Sequence, residues 1–406
     1  MNSVARASIE KIFREEYGRA VAVLTRKCGN IDDAQEAVQD AFAEALQRWA
    51  ANGLPPSPRG WIVTTAIHRA IDRHRREATR EQRYSFAAAD THDSIELDEE
   101  SAVRDDQLRL MFTCCHPSLG TSAQVALTLR LIGGLETAEI AHAFLVPEAT
   151  IAQRVVRAKA KIRDAGVPYR VPQPADLGER LNAVLAVIYL IYSEGYKASA
   201  GEQLTRASVS TEAMRLGRTL LELLPNEAEV LGLLALMLLN ESRRETRVNA
   251  VGELVLLADQ DRNRWNHTLI AEGLLLIEEC RRRNRWGPYQ LQAAIAAEHM
   301  RAADAAATDW SAIKAYYDQL MALAPTPIVA MNRAVAIAEV DGPTEALGVL
   351  DQHPLPSFYL FHAIRADFLQ RCGRAQDAVA AYDEAICLAD NAVERDFLKR
   401  KRARLL

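Results

Sequence analysis

The chain has little of what marks a membrane, secreted or catalytic protein. No apolar run approaches bilayer length. The longest, Ala183 to Tyr192 and Val230 to Leu239, are ten residues each, about half of what a spanning helix needs. Met1 to Glu16 carries no apolar core of signal-peptide length. Only six cysteines are scattered through 406 residues, so they read as reduced thiols, and a cytoplasmic protein without membrane attachment is expected. Aromatic residues are 6% of the chain and β-branched runs are short, which disfavours sheet. There is no glycine-rich phosphate loop, no zinc spacing and no serine–histidine constellation, so neither enzyme, cofactor nor metal site is expected.

What is present is Ala, Leu, Arg, Glu and Gln in helical periodicity, with 25% charged residues. That combination predicts an all-α protein. The net charge of −5 hides sharp local segregation. Residues 59–83 carry a net +4, 84–106 a net −7, and 151–163 five bases without an acid. Two basic helices are therefore expected on either side of a solvated acidic tether. Three prolines between Pro168 and Pro174 predict an extended break. Helices resume beyond it and are broken again at Pro225, Gly287-Pro288, Pro325, Gly342-Pro343, Pro354 and Gly373.

Asp32 with Gln35 has the spacing of a capping box. Ala34, Val38, Ala41, Phe42, Ala45 and Trp49 then form an apolar stripe, opposite Asp33, Glu36, Gln39, Asp40 and Glu44. After a proline-rich loop comes a second helix, with Val63, Ala66, Ile67, Ala70 and Ile71 as its expected core. Thr65, His68, Asp72 and Arg75 project from another face, and Arg69, Arg73 and Arg76 form a stripe suited to phosphates. Arg59 and Trp61 open that helix, where an aromatic ring can stack on an unpaired base.

Residues 134–162 have the layout of a helix-turn-helix. Thr137 caps a short helix, Leu145-Val146 turn, and Pro147 takes a first-turn position. Ile151, Val155, Ala158 and Ile162 line the core. Glu148, Ala149, Thr150, Ala152 and Gln153 are left to face a major groove, with Arg154, Arg157, Lys159 and Lys161 placed for phosphates or guanine edges.

In these segments the sequence resembles the extracytoplasmic-function sigma factors of the sigma-70 family. DDAQEAVQDAFAEALQRW resembles the part of region 2 that grips the β′ clamp helices of RNA polymerase. PRGWIVTTAIHRAIDRHRR resembles the part that melts and reads the −10 element. GLETAEIAHAFLVPEATIAQRVVRAKAKI resembles the region 4 helix-turn-helix, which reads the −35 element. The resemblance implies that Asp33, Gln39, Asp40 and Phe42 build the core-polymerase face. It assigns Arg59, Trp61, Thr65, His68, Arg69, Asp72, Arg73, Arg75 and Arg76 to −10 DNA. It assigns Glu148, Ala149, Thr150, Ala152, Gln153, Arg154, Arg157 and Lys161 to −35 DNA. His68 stands where members usually carry an asparagine for a flipped base, and Ala149 where glycine is common.

Most members end soon after region 4. The remainder here resembles the ECF42-like subgroup with a C-terminal tetratricopeptide-like extension. Ala346 and Ala378, 32 positions apart, are near that repeat's period. The expected division is region 2 over 1–83, acidic linker 84–106, region 4 over 107–167, hinge 168–177, helical extension 178–285 and repeats 286–406. The expected partners are core RNA polymerase, through its β′ clamp helices and β subunit, promoter DNA, and a protein or small-molecule regulator of the extension. The alternative reading is a free-standing helix-turn-helix regulator with a helical ligand domain. Cys114-Cys115-His116 is expected to pack rather than to bind metal, and Tyr192, Glu194, Tyr196 and Lys197 to be structural. The arginine-rich CRRRNRW at 280–286 is expected to form a solvated face or to contact the acidic linker.

Overall fold

The computed structural model describes residues 3–80, 99–144, 146–196, 207–284 and 286–406. Among them are eighteen α-helices and no β-strand, as the composition implied. The helices fall into two compact units, Met1–Ile188 and Tyr189–Leu406, which divide within one helix.

The first unit holds α1 (Ser3–Cys28), α2 (Ile31–Asn52), α3 (Pro58–Arg80), α4 (Glu99–Cys114), α5 (Thr121–Leu131), α6 (Thr137–Ala143), α7 (Glu148–Asp164) and the start of α8 (Pro174–Tyr196). α2 does not open on the expected Asp32–Gln35 box. Asn30 caps it, accepting the Asp33 amide at 2.8 Å. Asparagine is among the best N-cap residues, so Asp32 is displaced onto the helix surface. Ala34, Val38, Ala41, Phe42, Ala45 and Trp49 are all buried as the periodicity required. α3 is turned from its expected orientation. Ile62 and Ala66 are fully buried, whereas Ile71 is 43% exposed. That turn carries Arg69 and Arg73 round to α2, where acids await them.

α4 begins at Glu99, inside the stretch read as linker, and residues 81–98 lie outside the described residues. Asp106, expected in solvated tether, has no exposed surface. Its carboxylate accepts from Arg26 of α1 and Arg109 of α4, both at 2.8 Å. The Tyr169 hydroxyl lies 2.8 Å from the Ala22 carbonyl oxygen and 3.1 Å from that of Asp106, and it can donate to one at a time. Burial pushes the Tyr169 phenol up from its ordinary pKa, with Asp106 adding to the effect. Gly18 of α1 completes the joint: a Cβ there would lie 2.5 Å from the Ile132 carbonyl oxygen at the end of α5. Only glycine lets the two helices approach so closely.

The second unit holds α9 (Ala207–Leu223), α10 (Ala228–Glu241), α11 (His267–Arg283), α12 (Pro288–Arg301), α13 (Trp310–Leu323), α14 (Pro327–Val340), α15 (Pro343–Asp351), α16 (Tyr359–Arg371), α17 (Ala375–Leu388) and α18 (Ala392–Ala403). The helical periodicity of the sequence predicts helices over Trp310–Leu323 and Ala375–Leu388, and α13 and α17 have those bounds. From α12 onward each helix packs on its neighbours in sequence, the one-dimensional stacking of a repeat array. Ala346 and Ala378 are fully buried, as small residues at helix crossings should be.

Candidate nucleic-acid interface

α2 carries Asp32, Glu36, Asp40 and Glu44 at intervals of four, a row that winds slowly around the helix. Every member is engaged by a base from elsewhere in the unit. Lys159 of α7 donates to Asp32 at 3.0 Å and also to Gln35, with Arg163 3.8 Å from Asp32. Arg73 of α3 hydrogen-bonds Asp40 at 2.9 Å and lies 2.7 Å from a Glu36 oxygen. Arg69 of α3 donates to Glu44 at 2.7 and 3.3 Å, and Arg48 meets the same carboxylate at 2.9 Å.

The remaining residues that the sequence assigned to −10 DNA are placed more openly. His68 and Asp72 are exposed and Thr65 is half-buried. Trp61 packs edge-on against the buried Trp49, with ring centroids 5.3 Å apart. Arg59 lies 3.6 Å from Glu16 of α1. The side chains of Arg75 and Arg76 lie outside the described residues. Of the residues assigned to the polymerase face, Gln39 and Asp40 are exposed. Asp33 is half-buried and takes part in the Asn30 cap. Phe42 is 4% exposed and meets Phe13 edge-on at 4.7 Å, so it packs in the core beneath the exposed residues of α2.

α6 and α7 form the expected helix-turn-helix, shifted by one residue at each start. Glu136 rather than Thr137 caps α6, in a reciprocal box with Glu139. Pro147 is the N-cap of α7 and Glu148 its first residue. Ile151, Val155, Ala158 and Ile162 are the buried residues of α7. Glu148, Ala149, Ala152, Gln153, Arg157 and Lys161 are exposed together, with Thr150 and Arg154 half-buried beside them. The helix N-terminus with its small residues is thus free to enter a groove. Lys159 is the departure: it had been placed with the DNA-facing bases, yet its side chain is 11% exposed and turned to α2.

Cys114 and Cys115 are buried, and burial pushes the Cys115 thiol up to about 12, which leaves it protonated. His116 is held by Ser118, 2.7 Å from Nδ1.

Family models match in chain order: Sigma-70 region 2 over residues 12–80, Sigma-70, region 4 over 109–162, and a family of unknown function, DUF6596, over 180–281. The ECF RNA polymerase sigma factor SigK of Mycobacterium ulcerans is 30% identical over 37% of this chain and 74% of its own length. The chain belongs to the extracytoplasmic-function sigma factors. As a sigma factor it binds core RNA polymerase and promoter DNA and directs transcription initiation. The likeness to an uncharacterized protein, R00370 of Rhizobium meliloti, extends through the extension: 41% identity over 94% of this chain and 92% of that protein. RNA polymerase sigma factor YlaC of Bacillus subtilis is 29% identical over 22% of this chain and 50% of its own. Among the described residues, no helix of the sigma factor is long and apolar enough to cross a membrane.

Several residues that shape this unit carried no sequence signal of their own. Asp106 is one acid in an acidic run, and Lys159 one base in a basic helix. Gly18, an isolated glycine within a helical pattern, is a residue type that can mark close approach, but it was not singled out from the sequence.

Proposed function

We propose that this sigma factor keeps its DNA-facing bases on its own polymerase-facing acids, and that docking on core polymerase releases them. The carrying observation is Arg73 of α3, which faces both Glu36 and Asp40 of α2. On this reading Asp40 and Gln39 meet the β′ clamp helices, and α7, with its domain, meets the β subunit and the −35 element. Trp61, Thr65, His68 and Asp72 take the −10 strand. An acidic row repels phosphate, and phosphate contacts supply most sequence-independent affinity, so the closed unit is a poor DNA binder.

The magnitudes suit a reversible mask. Exposed ion pairs contribute about 0.2–1 kcal/mol each, so the three sets, taken as one pair each, restrain DNA binding by roughly threefold to a hundredfold. A clamp with complementary charge can exchange such pairs without unfolding anything.

Run-off transcription with purified core polymerase on promoters selected from genomic DNA tests the reading. Initiation with core, and weak duplex binding without it, is expected. No initiation on any selected promoter, with tight core-free binding to duplex DNA, would favour the free-standing regulator instead. We assign control of activity to the second unit, since DUF6596 and the repeat-like stack share one chain with both promoter-reading regions. Deleting residues 172–406 should change promoter output in at least one growth condition. Unchanged output throughout would remove that assignment.

A further inference from the structure

The second unit contains two arginines, Arg243 and Arg247, that no carboxylate among the described residues meets within ion-pair distance, although Glu394 and Glu241 contribute to the field at Arg247. The end of α8 stacks Tyr192 on Tyr196, with ring centroids 5.5 Å apart and planes 17° from parallel. The Arg247 guanidinium lies over the Tyr196 ring, 3.9 Å from its centroid, and donates to the Tyr196 carbonyl oxygen. Arg243 approaches the same ring at 5.7 Å. Arg247 is only 7% exposed and Tyr192 only 2%, while Arg243 and Tyr196 are half-exposed.

Neither Arg243 nor Arg247 has a carboxylate within ion-pair distance among the described residues. Nearby Glu241 is taken by Arg244, and Tyr359 donates to Glu394. Two like charges on one aromatic ring, partly out of water, are a costly arrangement to leave unanswered. His299 reports the same field: burial, then Arg243 and Arg262, bring its imidazole down to about 4. Unanswered polar atoms also gather here. The hydroxyls of Tyr192 and Tyr196, one Glu241 oxygen and Arg244 Nε are four of the eleven buried side-chain polar atoms without a hydrogen-bond partner among the described residues.

Other side chains also hold the segment in shape. Thr246 accepts from Trp265 Nε1 at 3.1 Å, its hydroxyl can donate to either the Arg243 carbonyl at 2.9 Å or Gln260 Oε1 at 3.1 Å, and Gln260 donates to the Val255 carbonyl at 3.2 Å. The Asn266 amide donates to the Ser242 carbonyl at 2.7 Å. Residues 242–247 are thereby fixed in place, and a guanidinium stacked on a ring is held in one plane while its N–H edge stays available. This is the preparation that oxyanion recognition requires.

We propose that Arg243, Arg247 and Tyr196 form a binding site for the oxyanion group, carboxylate or phosphate, of a small molecule. The site is independent of promoter recognition and is tested by binding alone.

Isothermal titration calorimetry of the full chain provides the test, with inorganic phosphate and with succinate as probes at fixed ionic strength in chloride. At least one probe should bind, and the one that does names the source of the oxyanion. Arg243→Ala and Arg243→Gln should each weaken that binding about tenfold or more, the worth of a charge-assisted hydrogen-bond pair. Arg282→Ala, which removes a charge 72% exposed elsewhere in the unit, should leave it unchanged. No binding of either probe overturns the proposal. So does an equal loss in the Arg243 and Arg282 variants, which would show only unspecific attraction to a basic surface.

Discussion

The two basic helices of the first unit, α3 and α7, are alike in sequence and opposite in setting. α3 presents Arg69 and Arg73 to the acidic row of α2. α7 keeps its outer face clear and gives up only Lys159 and Arg163, on its flank, to the end of the same row. Both helices carry charge in excess, so composition alone does not separate them. What separates them is rotation. α3 turns its cations towards a neighbouring helix, while α7 buries Ile151, Val155, Ala158 and Ile162 and turns its N-terminal polar residues outward. A basic helix offers DNA only the charge that its neighbours leave unspent, and the acidic row takes Arg69 and Arg73 of α3 but only the flank of α7.

The joint between the regions should give the largest effect. Asp106→Ala leaves Arg26 and Arg109 without their shared carboxylate and should cost about 3 kcal/mol of stability in urea unfolding. Because both arginines can reach solvent, a loss well under 1 kcal/mol would show that the joint contributes little. Next comes the mask on α3. Glu36→Gln with Asp40→Asn should raise core-free affinity for promoter duplex by up to about tenfold in fluorescence anisotropy, and unchanged affinity would break the contrast between the helices. Lys159→Ala should then lower stability by no more than about 1 kcal/mol, since Asp32 is 56% exposed and water screens the pair. The smallest effect sharpens the comparison most. Arg157→Ala should weaken core-free duplex binding a few-fold and reduce its salt slope by about one, whereas Arg69→Ala should change neither, because Glu44 already holds that charge. Equal effects from the two would mean that α3 is as open as α7.

Helix bounds and core faces were largely legible because they rest on local periodicity. The buried stripes of α2 and α7, and the span of α13 and α17, follow from spacing alone. The orientation of α3 was not, because its apolar residues permit two faces and the choice depends on ion pairs to a different helix. Nor was the Asn30 cap, which competed with an equally good pattern two residues on. The positions assigned by resemblance to DNA and polymerase fall on the expected helices. What the resemblance did not carry was their pairing with one another, since that depends on the distance in space between α2, α3 and α7. The Arg243–Arg247–Tyr196 group was invisible for the same reason: Tyr196 is separated from its arginines by 47 and 51 positions.

Gly18→Ala tests the closed unit most directly, because the two possible results differ in sign. Within a solvent-facing helix, alanine in place of glycine stabilises by about 1 kcal/mol. In the closed unit the new methyl group meets the Ile132 carbonyl oxygen at 2.5 Å, and overpacking of that kind costs about 1–3 kcal/mol. The account predicts a lower urea midpoint together with stronger core-free binding to promoter duplex. A raised midpoint with unchanged DNA binding would contradict it.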